Sequence, residues 1–121
     1  MITICLKRVY EPPAPEDGIR VLVDRLWPRG LTKEKVHADL WLKDIAPSNS
    51  LRRWSHHDRS MWPEFKSRYF AELELQPQIV AKLLDLATKG QVTLLYAARD
   101  QEHNQAVALA EYLQLKSDQK V

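Results

Sequence analysis

QVTLLYAARD, residues 91–100, decides the fold. Its first eight residues form an apolar run without in–out alternation, and the chain then turns polar at Arg99 and Asp100. A strand of that kind is covered on both faces, as in a parallel sheet. Working outward, VLV (residues 21–23) is a second such run, and it ends at Asp24 and Arg25. Between the two lies WPEFKSRYFAEL (residues 62–73), where Trp62, Phe65, Tyr69 and Leu73 recur at helical spacing. Pro63 falls in the first turn, where its missing N–H loses nothing. Another helix opens at Pro77, turns Ile79, Val80, Leu83 and Leu86 inward, and stops at Gly90. Apolar strands separated by helices predict an α/β fold, a small and mostly parallel sheet flanked by helices.

The remaining segments fit that frame. Residues 2–9 are rich in aliphatic types and read as a strand, with Cys5 as inert packing inside it. EPPAPEDG (residues 11–18) is a loop with room for a single turn. Thr32 caps a short helix beginning KEKVHAD. DLWLKDI (residues 39–45) reads as strand or extended chain, and Ser50 caps a helical turn at LRRW. Asp100 is placed as the N-cap of the last helix, whose buried stripe is Ala106, Leu109, Ala110 and Leu113. KSDQKV, residues 116–121, reads as a loose tail.

A chain of 121 residues suits one domain. Its 45% hydrophobic and 28% charged content excludes wholesale disorder. A net charge of +2 is too small to argue for nucleic acid by itself. One cysteine rules out an intrachain disulfide and favours a reducing compartment. The apolar start breaks at Lys7 and Arg8, too soon for a signal-peptide core or a membrane span, so a cytoplasmic location is expected. No Gly-rich dinucleotide fingerprint, P-loop, GxSxG or HExxH motif appears, and no cofactor is expected.

Ligands of open parallel sheets gather beyond the carboxyl ends of the strands. The first apolar strand delivers Asp24 and Arg25, followed by Trp27 and Arg29. The second delivers Arg99, Asp100, His103 and Asn104. The sequence therefore predicts one site in which Arg25, Arg29 and Arg99 clamp an anion, Trp27 stacks, Asn104 orients the ligand and Asp24 orients the arginines. His103 is the candidate general acid/base, with Asp100 beside it. Each assignment has a plainer counterpart. Arg25 and Arg29 equally suit internal ion pairs with Asp24, Asp44 or Asp100, Asp100 suits simple capping, and His103 suits the surface. His56, His57 and Asp58 form HHD, but adjacent histidines diverge and do not share a metal, so no metal site is assigned. His57 remains within reach of the pocket. Trp41, Trp54 and Trp62 read as core or pocket wall. Arg52, Arg53 and the KEK run read as solvated faces.

RVLVDRLWPRGL (residues 20–31), DLWLKDIAPS (residues 39–48) and VTLLYAARDQEHNQA (residues 92–106) together make the chain resemble the YeaO-like family of small bacterial proteins, part of a larger domain-of-unknown-function family. The resemblance covers nearly the whole chain. It implies an α/β fold with a small parallel sheet and brings no established reaction. More distant relatives carry a Cys-His pair where this chain has Glu102 and His103, which removes a cysteine nucleophile. Two functions follow as expectations. One is an enzyme or binder for a small phosphate- or carboxylate-bearing metabolite or nucleotide. The other is a non-enzymatic adaptor that meets nucleic acid or a protein through its basic, tryptophan-containing surface.

Overall fold

The computed structural model describes residues 2–55 and 58–119. Its centre is β4, Val92–Tyr96, in which every residue is buried. β1 (Ile4–Arg8) pairs with one side of β4 and β2 (Ile19–Leu22) with the other. β3, only Leu40–Trp41, adds to β2. The order is β1-β4-β2-β3 and all three pairings are parallel. Sequence and structure agree here for a physical reason. Both apolar runs occupy the two central strands, where neither face meets water.

The two faces are covered unequally. Val21, Leu94 and Tyr96 turn toward the larger core, which receives Tyr69, Leu83 and Leu109 from the helices. Those helices are α3 (Trp62–Glu74), α4 (Pro77–Lys89) and α5 (Gln105–Asp118). Leu22 and Leu95 turn the other way, onto a small cluster with Val9 and Val36. Only the short α1 (Lys33–Val36) and loops cover that side. Thr32 caps α1 as expected, accepting from the Lys35 N–H at 3.2 Å.

A buried polar cluster completes the thin face. Arg20 is 2% exposed and donates to the Val36 carbonyl at 2.7 Å, to the His37 carbonyl at 2.9 Å and to the Asp17 carboxylate. Lys7 reaches the same carboxylate at 3.2 Å, and Thr93 Oγ1 donates to the Asp17 carbonyl at 2.7 Å. Burial works to raise the Asp17 pKa. Bonds from the Ala14 N–H, Lys7 and Arg20 outweigh it and hold the carboxyl below its ordinary value. Gly18 admits this arrangement. Its φ of +65 suits glycine, and a Cβ there would lie 2.2 Å from the Gln91 carbonyl oxygen.

Several local expectations are corrected. Cys5 is exposed, because β1 lies at the edge of the sheet. DLWLKDI is strand only at Leu40–Trp41 and then tightens into a 3-10 turn, Lys43–Ile45. α2 spans Asn49–Ser55, and the oxygen accepting from its Leu51 N–H is Ser48 Oγ, not Ser50. α5 begins at Gln105 with Asn104, not Asp100, as its N-cap. Asp100 instead accepts from the Glu102 and His103 N–H groups in the loop before it. That is the same local bond a capping residue makes, so the two look alike in sequence. α5 continues through Asp118, where a loose tail was expected. Lys116 ties its last turns to Glu74 of α3 at 2.9 Å. Among the described residues no helix is long and apolar enough to cross a membrane.

Candidate functional site

Because β2 and β4 are parallel neighbours, the chain leaves both at the same edge of the sheet. Asp24 joins the two exits. Its Oδ2 accepts from the Ala97 N–H at 2.9 Å, its Oδ1 from Gln105 Nε2, and its carbonyl from Trp41 Nε1 at 2.8 Å. Burial pushes its carboxyl up to about 6, against the bonds from Ala97 and Gln105 and the charge of Arg52, all of which lower it. A largely buried carboxylate without a salt-bridge partner among the described residues is an expensive group to keep.

Beside Asp24 opens a cleft of about 370 Å³. Arg25, Arg29, Arg52 and Arg99 line it on the polar side. The exposed Tyr10 and Leu26, with Trp27 between Leu26 and the buried Pro28, form its lip, and Ala97 and Ala98 complete the lining. Among the described residues none of the four arginines forms a salt bridge with a carboxylate. Arg25 is held by carbonyls, donating through Nη2 to Ala46 at 3.0 Å and through Nε to Pro47 at 3.3 Å. That leaves its other guanidinium donors free of those bonds. Arg29 and Arg99 are exposed. Arg52 Nε is buried with no hydrogen-bond partner among the described residues. Trp27 is pinned by its Nε1 bond to the Leu31 carbonyl at 2.7 Å, and it meets Trp41 edge-on at 5.4 Å.

The remaining sequence-selected residues lie next door. His103 and Asn104 line a smaller compartment of about 50 Å³ with Ser55, Trp62 and Phe65. Pro47, Arg52 and Gln105 border both spaces. Asp100 borders neither. Its carboxylate receives Arg59 Nε at 3.0 Å and lies 3.3 Å from His103 Nδ1. The N–H of Glu102, then that of His103, the His103 ring and the Arg59 charge pull its pKa to about 2 against the effect of desolvation. At neutral pH such a group accepts hydrogen bonds and donates no proton. The His103 ring packs edge-on to Trp62 at 5.3 Å. Asn104 is occupied on both sides, accepting from the Val107 N–H at 3.0 Å and donating to the Asp100 carbonyl at 2.8 Å. His57 lies outside the described residues.

Two residues at the heart of the cleft were not selected from sequence. Arg52 read as a solvated face. It adjoins Leu51 and Ser55, the buried side of α2, and that i, i+4 pair was the available signal. Gln105 lies one residue past the true N-cap and was hidden by placing the cap at Asp100.

The arginines differ in how far they are structural, and urea melts separate them. Arg25→Ala is expected to lower stability by roughly 1.5–3 kcal/mol, the range for hydrogen bonds made by a charged group. Arg29→Ala is expected to stay within about 0.5 kcal/mol, as for an exposed side chain with no partner among the described residues. Equal large losses in both would make the whole turn a structural lock.

The fold and cleft thus define a small parallel α/β domain with an arginine-lined pocket at its strand ends. Its family follows from comparison. Residues 3–121 match the family described as the inactive DUF488-N3 subclade, and the chain belongs to that family. It is 43% identical over 112 residues to the uncharacterized protein YeaO of Escherichia coli, covering 93% of this chain and 97% of that one. It is also 43% identical over 106 residues to the uncharacterized protein Rv3073c of Mycobacterium tuberculosis, covering 88% and 89% of the two chains. No solved structure matches the chain.

Proposed function

We propose that this protein is a non-catalytic binding module that holds a small anionic metabolite, phosphate- or carboxylate-bearing, in the strand-end cleft. The observation carrying this reading is the set of four arginines around one concavity with no carboxylate paired to them among the described residues. Guanidinium forks suit oxyanions, and a volume near 370 Å³ falls at the lower end of small-molecule sites. Three points favour binding over catalysis. The family is described as inactive. His103 borders the adjoining compartment, not the arginine cleft. Asp100 is held ionised by its loop.

Isothermal titration with sulfate, whose charge is constant across the working range, tests the reading. Arg99→Ala and Arg52→Ala should each weaken binding about tenfold or more, the equivalent of one lost charge-assisted bond. Binding should also tighten as pH falls from 7.5 to 5.5. Asp24 takes up its proton in that interval and ceases to repel the anion. The Asp24→Asn variant should lack this pH dependence. Sulfate binding unaffected by either arginine contradicts the site. Turnover of p-nitrophenyl phosphate that His103→Ala abolishes would assign catalysis instead.

A further inference from the structure

We infer that the anion held in the cleft carries a planar apolar ring, so that the ligand class is a single-ring aryl or heteroaryl phosphate or carboxylate and not a bare inorganic ion. This rests on the anion-binding reading above and specifies its ligand. Seven large hydrophobic side chains are exposed among the described residues, and three of them, Tyr10, Leu26 and Trp41, collect at this one edge. Tyr10 and Leu26 line the cleft itself, and Trp41 packs against Trp27, which does. Leu26 is 65% exposed, directly between Arg25 and Trp27. Scattered exposed apolar residues need no explanation, but a cluster rimming a charged cavity marks a binding surface.

The lip is also built to keep its shape. Tyr10 is fixed by its hydroxyl, which donates to the Arg29 carbonyl at 3.3 Å, and by Arg8, whose guanidinium lies 5.0 Å from the ring centroid. Trp27 and Trp41 are fixed by their Nε1 bonds to the Leu31 and Asp24 carbonyls. Both indole donors are satisfied within the chain, so these side chains offer a ligand apolar surface and no hydrogen bond. Such fixed surfaces lower the ordering cost of binding a flat group. In the same cleft, Arg99 presents a planar cation without a carboxylate partner among the described residues, able to stack on a ring or to bind its anion. The volume of about 370 Å³ accommodates one ring system with its anionic group.

The test compares phenyl phosphate with methyl phosphate and inorganic phosphate by isothermal titration on the full chain. Phenyl phosphate should bind about tenfold or more tightly than methyl phosphate, because its ring removes apolar surface of the lip from water. Leu26→Ser, a change at an exposed position, should shrink the phenyl-to-methyl ratio several-fold. Methyl and phenyl phosphate binding equally well would overturn the ring while leaving the anion site standing. Binding of none of the three would overturn both readings. Tight, length-dependent binding of single-stranded oligonucleotides, with phenyl phosphate inert, would replace the small ligand by a polymer.

Discussion

Arg20→Ala is expected to lower the unfolding free energy by roughly 3–5 kcal/mol, the usual consequence of removing one partner from a buried ion pair. No other arginine is placed this way. Arg20 is 2% exposed, and its guanidinium serves Asp17 and the carbonyls of Val36 and His37 together. Its loss strands the buried Val36 carbonyl, removes the donor to the His37 carbonyl and leaves Asp17 with Lys7 as its remaining charged partner among the described residues. It also unties the loop that covers the thin face of the sheet. Arg20→Lys should rescue little, because one ammonium on a flexible stem does not replace a planar fork spanning three acceptors. Urea melts at neutral pH measure the effect. A loss under about 1 kcal/mol would place Arg20 among ordinary surface residues. The charge lock weighed as the plainer alternative at Arg25 is found instead at Arg20, on the opposite end of β2.

The second large effect concerns Asp24 and has an unusual sign. Its folded pKa is raised from 3.8 to about 6 by burial. Between those values the folded protein keeps a proton that the unfolded chain has released. Stability must then fall as pH rises from about 4 to about 6 and level off above. The gap is equivalent to on the order of 2–3 kcal/mol. Asp17 acts in the opposite sense, since its lowered pKa supplies stability that is lost as pH falls through it. The Asp24 contribution is accordingly read as the difference between the wild type and Asp24→Asn. The amide can still accept from Ala97, and Gln105 can turn its own amide to match. The variant should equal the wild type near pH 4 and exceed it by up to about 2–3 kcal/mol at pH 7.5. An Asn variant less stable than wild type at pH 7.5 would show that the ionised carboxylate is a structural asset. A carboxylate retained against its own desolvation and lining a cleft supports the binding site proposed there.

The address of the cleft was legible in the sequence, and its lining only partly. VLV and TLLY declare a parallel sheet because both faces of the central strands are dry, and parallel neighbours must discharge their next residues at one edge. Asp24, Arg25, Trp27, Arg29 and Arg99 meet there for that reason. The division into two compartments was not legible. It depends on where α5 starts, and Asp100 offers the same local hydrogen bonds as the true cap, Asn104. Arg20 was invisible for another reason. Whether an arginine is buried depends on which carboxylate or carbonyl the fold brings to it, and Asp17, Val36 and His37 reach Arg20 only through tertiary packing. Edge position likewise decided that Cys5 is exposed while Thr93, its partner on the central β4, is buried.

The most direct measurement follows the arginine side chains themselves. Sulfate is titrated into ¹⁵N-labelled protein and the arginine Nε–Hε resonances are recorded. The expected result is that Arg25, Arg52 and Arg99 shift together along one saturating curve, while Arg20, already bonded to Asp17, and Arg68, paired with Glu64 on α3, stay in place. Shifts confined to arginines outside the cleft, or a drift that never saturates, would contradict an anion site at the strand ends.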